Sequence, residues 1–324
     1  MSASSSARPL LLEAPARLHF GMLDLRGELG RRFGGIGAAV PIPSLRLEGV
    51  AADRFTIEGS GPDVDRAGEF ARRFAAHYGI ALRARLTLHR TIPAHVGLGS
   101  GTQLALAVAR LLAVLHGIDY DIARFARAVD RGRRSGVGTW TFALGGFVLE
   151  GGRRSDGDRV APLLARLPMP ETWRCVLVVP EGDPGLVGDA EARAFATLPP
   201  PCRGDVERVA HLVLMQLLPA LAEADLPGFG AALTEIQRIT GAWFSAAQGG
   251  VYAPGASAEL IRELERGGAL GVGQSSWGPA VYGLTTDSAA ASLLAARVRA
   301  VLGTRPGAVY DTVFSQTGAT VVPA

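Results

Sequence analysis

Apolar positions along the chain repeat with three different spacings, and these divide it into elements. Leu10–Met22 (LLLEAPARLHFGM) is apolar and then alternating, which predicts a strand. The next stretch, LDLRGELGRRFGGIGAAV, carries Gly27, Gly30, Gly34, Gly35 and Gly37 just after Gly21. That density predicts a loop or hairpin held close to a ligand or another backbone. LRLEGV and RFTIEG alternate like the strands of a hairpin. DRAGEFARRFAAHYG has helical spacing and closes on Gly79. ALRARLTLHRTIP alternates at Leu82, Leu86 and Leu88 and stops at Pro93. Beyond it, Leu104, Val108, Leu111, Leu112 and Leu115 share one helical face, with alanines over much of the rest. This predicts a helix buried nearly all round, its first turn at Ser100 to Gln103.

DIARFARAVDRGRR predicts a further helix with Asp121 near its start. TFALGGFVLEGG reads as a strand with a glycine break, and DRVAPLLARLPMPETW as a connection. RCVLVVP is a continuous apolar strand, followed by helical patterns at Gly188–Thr197, Asp205–Ala224 and Pro227–Phe244. SAELIRELERGG and SAAASLLAARVRAVLG predict helices, and PAVYGLTTD and AVYDTVFS strands. Mixed elements of this kind predict an α+β protein in two domains, residues 1–167 and 168–324.

Composition narrows the function. The chain has 324 residues and a net charge of +3, and all 33 basic side chains are arginine. Without lysine there is neither a Schiff-base amine nor a Walker-type lysine, so a cationic clamp must be guanidinium, suited to phosphate and carboxylate. The arginines are scattered in pairs without interleaved aromatics, so small anions are expected and nucleic acid is not. No uncharged apolar run reaches the ~18 residues of a membrane span, and the N-terminus lacks the layout of a signal peptide. The two cysteines, Cys175 and Cys202, have no zinc or redox spacing, and a cytoplasmic protein is expected.

Five stretches carry candidate chemistry. In PAHVGLGSGTQ (Pro93–Gln103), glycines lead into a helix start, where free N–H groups and the dipole favour an anion. A glycine-rich turn with a Ser or Thr cap is the plainer alternative. In PARLHFGMLD, Arg17 and His19 share a strand face and Asp24 follows. Taken singly, these residues read equally as a salt bridge, a core histidine and a turn former. Arg131, Arg134 and Ser135 crowd the loop of RGRRSGVG, and Gln274, Ser275, Ser276 and Trp277 bunch in GVGQSSWG. Asp183, Asp189 and Glu191 are carboxylates within reach of a cation or substrate, with helix capping the simpler reading of Asp189.

PARLHFG, PAHVGLGSGTQ and GVGQSSWG, in this order, resemble the three motifs of the GHMP kinase superfamily. With RLHFGMLDLRGELGRRFGGIGAAV, GRRSGVGTWTFALGGFVLEGG and GLVGDAEARAF added, the chain is most similar within it to the β-ribofuranosylaminobenzene 5′-phosphate synthases. The resemblance spans nearly the whole chain. It implies a GHMP-kinase-like fold, with an N-terminal α/β domain, a ferredoxin-like C-terminal domain and a site between them. It also implies a homodimer and a decarboxylating transfer of phosphoribosyl from phosphoribosyl diphosphate to 4-aminobenzoate or a close para-substituted benzoate, with Mg²⁺, in tetrahydromethanopterin synthesis. Gly97, Leu98, Gly99, Ser100, Gly101, Thr102 and Arg131 would bind phosphate. Arg17, His19, Asp24 and Arg134 would serve the chemistry, with Asp24 as magnesium ligand, and Gln274, Ser275, Ser276 and Trp277 would form the substrate pocket. The alternative is an ATP-dependent small-molecule kinase of the same fold. Against it, Gly101 stands where such kinases carry a second serine, RSGVGTWTFALGGF contains no aspartate, and the third motif is not a Gly-Ala-Gly loop.

Overall fold

The structure is a computed structural model that describes residues 8–154, 157, 159–182, 185, 186 and 188–324. The first half opens with β1 (Leu10–Asp24), β2 (Arg31–Ala51), β3 (Thr56–Glu58), α1 (Asp63–Tyr78) and β4 (Ala84–Arg90). There follow α2 (Ser100–Leu115), α3 (Ile122–Ala128), α4 (Val137–Leu144), β5 (Phe147–Glu150), β6 (Arg153–Arg154) and β7 (Leu163–Leu167). The second half contains β8 (Arg174–Pro180), α5 (Gly188–Thr197), α6 (Arg203–Leu212), a π-turn (Val213–Leu217), α7 (Leu218–Ala222), α8 (Leu226–Gln248) and α9 (Ala256–Arg266). It ends with β9 (Gly271–Gln274), β10 (Val281–Thr285), α10 (Ser288–Leu302), β11 (Gly307–Thr312) and β12 (Thr320–Pro323).

The strands form two sheets. The larger has the order β12-β1-β2-β4-β3, with β5 and β6 also paired to β2 and β7 paired to β5. The smaller has the order β11-β8-β10-β9. The last strand of the larger sheet before β8 ends at Leu167, and β12 returns from the C-terminus to pair with β1. Phe20 of β1 touches Tyr282 of β10 and Phe229 of α8, so one apolar core runs from sheet to sheet. A separate core of Val176, Val178, Leu260, Ile261, Leu264 and Val298 lies between the smaller sheet and α9 and α10.

Local chemistry explains the helix limits. Asp63 and Asp65 favour the start of α1, and Gly79, left-handed at φ 65°, ends it by donating its N–H to Ala75 O. Asp225 and Asp287 cap α8 and α10 by accepting from Gly228 N and Ala290 N. Helix α2 packs between sheet and neighbouring helices, which accounts for its buried alanines.

The glycine-rich stretch forms the hairpin expected of it: Gly34 to Gly37 lie in β2, which passes so close to β1 and α4 that a Cβ on Gly37 would meet Leu18 O and Val137. Three other expectations change. Thr56–Glu58 pairs in parallel with β4 and makes no hairpin with β2. Thr141–Leu144 ends α4 before the chain turns at Gly145 and Gly146, and the presumed connection contains β7. Short apolar runs do not distinguish a buried helix from a strand.

Gly230 of α8 lies against Leu270 and Gly271 so closely that a Cβ would overlap Leu270 O. Gly230→Ala should cost about 3 kcal/mol by overpacking, read as a lower urea midpoint with an unchanged slope.

Candidate active site

The three motifs meet between the sheets. Ser275 Oγ donates to Gly97 O at 2.7 Å and accepts from His19 N at 2.9 Å. Arg17 Nη1 donates to Gly97 O and lies 3.4 Å from Ser275 Oγ. Arg17 N donates to Leu98 O, and Ala280 N to Val96 O. Gly97, at φ 86°, packs its bare face on Ser275 O, where no side chain fits. Gly99, at φ 76°, is the residue before α2, and Arg17 covers it.

Beside this junction is a cavity of about 390 Å³. Arg17, Arg66, Arg131 and Arg134 line it, with Gly97, Gly99, Ser100, Gly101, Thr102, Ser276, Trp277 and Glu191. The first turn of α2 has neither a side-chain cap nor an acidic residue; Thr102 N and Gln103 N donate to Gly99 O, which leaves the Ser100 and Gly101 N–H groups for an anion at the cavity. A Cβ on Gly101 would lie 2.6 Å from Arg66 Nη2 and 3.5 Å from Arg131 Nη2. Burial, and then the neighbouring Arg66, lowers the pKa of Arg131, and its Nε is buried without a partner. Arg66 also pairs with Asp63 at 2.6 Å; two guanidiniums beside a helix N-terminus still suit an anion there. Burial also lowers Arg17, to about 10, which leaves it charged at neutral pH.

Other polar groups are already engaged. Arg134 pairs with Glu191 at 2.6 Å, and Glu191 also accepts from Trp277 Nε1 at 3.2 Å. Trp277 is held edge-on between Phe195 and Phe244. His19 is buried beside Arg17; burial and that charge hold its pKa at about 3, so the imidazole is neutral.

Of the expected phosphate-binding residues, all but Leu98 line the cavity; Leu98 is buried and contributes its carbonyl. Ser276 and Trp277 line it, whereas Ser275 lies behind as the tie between motifs. Gln274 and His19 line a neighbouring smaller cavity instead. Asp24 is a correction. Its Oδ1 accepts from Arg26 N and Gly27 N, the turn-forming role, and it does not reach the cavity. No group of three His, Cys, Asp or Glu suited to a metal occurs among the described residues. Asp183 lies outside the described residues. Arg66 was not anticipated, because it reaches the site from α1, whose sequence signals only helix.

Two models of GHMP kinase domains match, the N-terminal one over residues 65–146 and the C-terminal one over residues 217–303. A β-ribofuranosylphenol 5′-phosphate synthase of Methanothermobacter thermautotrophicus is 34% identical, over 97% of this chain and 98% of its own. One from Archaeoglobus fulgidus is 35% identical over 86% and 89%. The chain belongs to the β-ribofuranosylphenol 5′-phosphate synthase family. It is therefore a pentosyltransferase of the GHMP superfamily, with a phosphoribosyl-transfer activity related to that of this family. Among solved structures, homoserine kinase from Cytophaga hutchinsonii superposes with a TM-score of 0.73 at 19% identity, covering 99% of this chain and all of that one. Phosphomevalonate kinase of Streptococcus pneumoniae gives 0.70 at 14%, covering 95% of this chain and all of that one. Both share the fold of the synthase family. No helix among the described residues is long and apolar enough to cross a membrane.

Arg66→Ala and Arg131→Ala should each weaken binding of inorganic diphosphate about tenfold or more, the worth of one charge-assisted contact. Titration calorimetry checks this, with Arg305→Ala, far from the cavity, as the control.

Proposed function

We propose that the chain transfers phosphoribosyl from phosphoribosyl diphosphate to a para-substituted benzoate, releasing carbon dioxide and diphosphate and forming a C-glycoside. The observation that carries this is the convergence of Arg17, Arg66 and Arg131 on the uncapped start of α2. The lining pairs four arginines with one described carboxylate, Glu191, which Arg134 and Trp277 already hold. Such a cavity suits a donor bearing several phosphate charges and, among the described residues, leaves no free carboxylate to deprotonate a kinase's acceptor hydroxyl.

The chemistry asks little else of the protein. As diphosphate departs, positive charge develops on the ribose and negative charge on the leaving group, and Arg66, Arg131 and the α2 N–H groups stabilise the latter. The para substituent pushes electrons to the ring carbon that bears the carboxylate. That carbon bonds to C1 of the ribose, and loss of carbon dioxide restores aromaticity. Trp277, at the cavity wall, offers the acceptor ring an apolar face. The expected Mg²⁺ would be held chiefly by the phosphate oxygens of the donor, since no group of three metal-ligating side chains occurs among the described residues. No step is assigned to the ion.

4-Aminobenzoate is the acceptor expected from the sequence. The names of the relatives favour a second reading, in which the product is a phenol and the acceptor 4-hydroxybenzoate.

Carboxyl-labelled 4-aminobenzoate or 4-hydroxybenzoate should release labelled carbon dioxide only with phosphoribosyl diphosphate present and without ATP. Arg17→Ala and Ser100→Ala should each cut this rate at least tenfold. Wild-type rates in both variants would contradict the anion-site assignment, and ATP consumption with a small-molecule acceptor would restore the kinase reading.

A further inference from the structure

A smaller cavity adjoins the main one, and Ser276 and Trp277 line both. The smaller holds about 40 Å³, room for one hydroxyl, amino group or water and too little for a ring. Most of its polar side chains are committed to the protein. Gln237 donates to Phe20 O and accepts from Gln274 N; Gln274 accepts from Ala253 N and donates to Ser276 O. Gln248 donates to Gly250 O and Val251 O, and Thr240 donates to Ile236 O.

His19 differs. Its Nε2 lies 3.3 Å from Ser135 Oγ, and its Nδ1 has no partner among the described residues. Behind Ser135 stands Glu150, buried at the end of β5. Its Oε1 accepts from Gly136 N at 3.1 Å and its Oε2 from Gly152 N at 2.7 Å; the Ser135 side chain, next to Gly136 in the chain, accepts from Val137 N and acts to lower the Glu150 pKa. Gly35, opposite Glu150 in β2, leaves the space: a Cβ there would lie 3.1 Å from Glu150 Oε1 and 3.3 Å from His19 Nε2. The other neighbours, Leu163 of β7 and Val137 of α4, are apolar. The charge facing this group is Arg17, which acts on His19.

We infer that His19, Ser135 and Glu150 form a proton relay that takes the proton of a para-hydroxyl on the acceptor and returns it after decarboxylation; this rests on the phosphoribosyl-transfer reading above. With the histidine proton on Nε2, the phenolic O–H breaks as Nδ1 takes its proton. The Nε2 proton passes to Ser135 Oγ, and the Ser135 proton passes to Glu150. The imidazole is neutral before and after, as its place beside Arg17 demands. The phenolate electrons drive the ring carbon onto C1 of the ribose, and loss of carbon dioxide regenerates the aromatic phenolate. The proton then returns along the chain, with nothing oxidised or reduced. A para-amino acceptor needs no such base, because its nitrogen donates electrons without losing a proton. His19 is the catalytic residue of the relay; Ser135 and Glu150 act through it.

Wild type, Ser135→Ala, Ser135→Thr and Glu150→Gln would be assayed in parallel for carbon dioxide release from 4-hydroxybenzoate and 4-aminobenzoate. The relay predicts that the ratio of hydroxy to amino kcat falls about tenfold or more in Ser135→Ala and Glu150→Gln and recovers in Ser135→Thr. The ratio is taken within one protein preparation, so partial misfolding cancels. Burial raises the Glu150 pKa to about 7, and the acceptor must be the carboxylate. The wild-type hydroxy rate should therefore fall as pH drops through about 7, with no matching step in the amino rate. Equal losses on both acceptors would make the cluster structural and overturn the relay. A wild type that turns over 4-aminobenzoate alone would also overturn it while leaving the transfer reading intact. Turnover of neither acceptor would contradict the transfer reading itself, and the relay with it.

Discussion

One hydroxyl holds the site together. Ser275 Oγ joins Gly97 O to His19 N, with Arg17 beside it, and so fixes β1, the loop before α2 and the loop after β9 at one point. Everything downstream depends on that register. Gly97 must lack a side chain because Ser275 O occupies the space, and Arg17 crosses Gly99 because the same junction brings the strand to the loop. The result is a helix start pointed, without a cap of its own, into a cavity formed where the sheets meet.

Electrostatics then decide what the cavity is for. Arg66, which Asp63 holds at 2.6 Å, and Arg131, whose Nε is buried without a partner among the described residues, bracket Gly101 at the start of α2. Arg134 is different, since Glu191 neutralises it and ties it to Trp277. The cavity thus has an arginine-rich end at the start of α2, suited to phosphate, and an end bordered by an indole, where Glu191 neutralises Arg134. A kinase keeps the anion site and adds a free carboxylate for the acceptor; here, among the described residues, the carboxylates nearest the site are either paired, as Glu191 and Asp63 are, or buried behind Ser135, as Glu150 is.

Much of this was legible in the sequence. The PAHVGLGSGTQ motif placed the start of α2 at Ser100, and the long periodic helices and the strands around Arg17 and Val176 followed their patterns. The parallel pairing of β3 was not legible, because alternation fixes which face is buried but not which neighbour is paired. TFAL looked like a strand because four apolar residues do not distinguish the two periods. Asp24 illustrates a limit of motifs: a carboxylate beside a glycine turn serves the turn's own N–H groups before any metal. Arg66 carried no local signal, since its role comes from how α1 packs on α2. Glu150 did carry one, a lone acid ending the apolar run FVLE, whose meaning depends on Ser135 and Gly35 arriving from elsewhere.

The most direct test of the central claim is a crystal structure of the protein with phosphoribosyl diphosphate. Diphosphate oxygens are expected beside Arg66 and Arg131 on the N–H groups of Ser100 and Gly101, with C1 of the ribose turned toward Trp277. Diphosphate bound away from α2, with Arg66 and Arg131 unengaged, would contradict it.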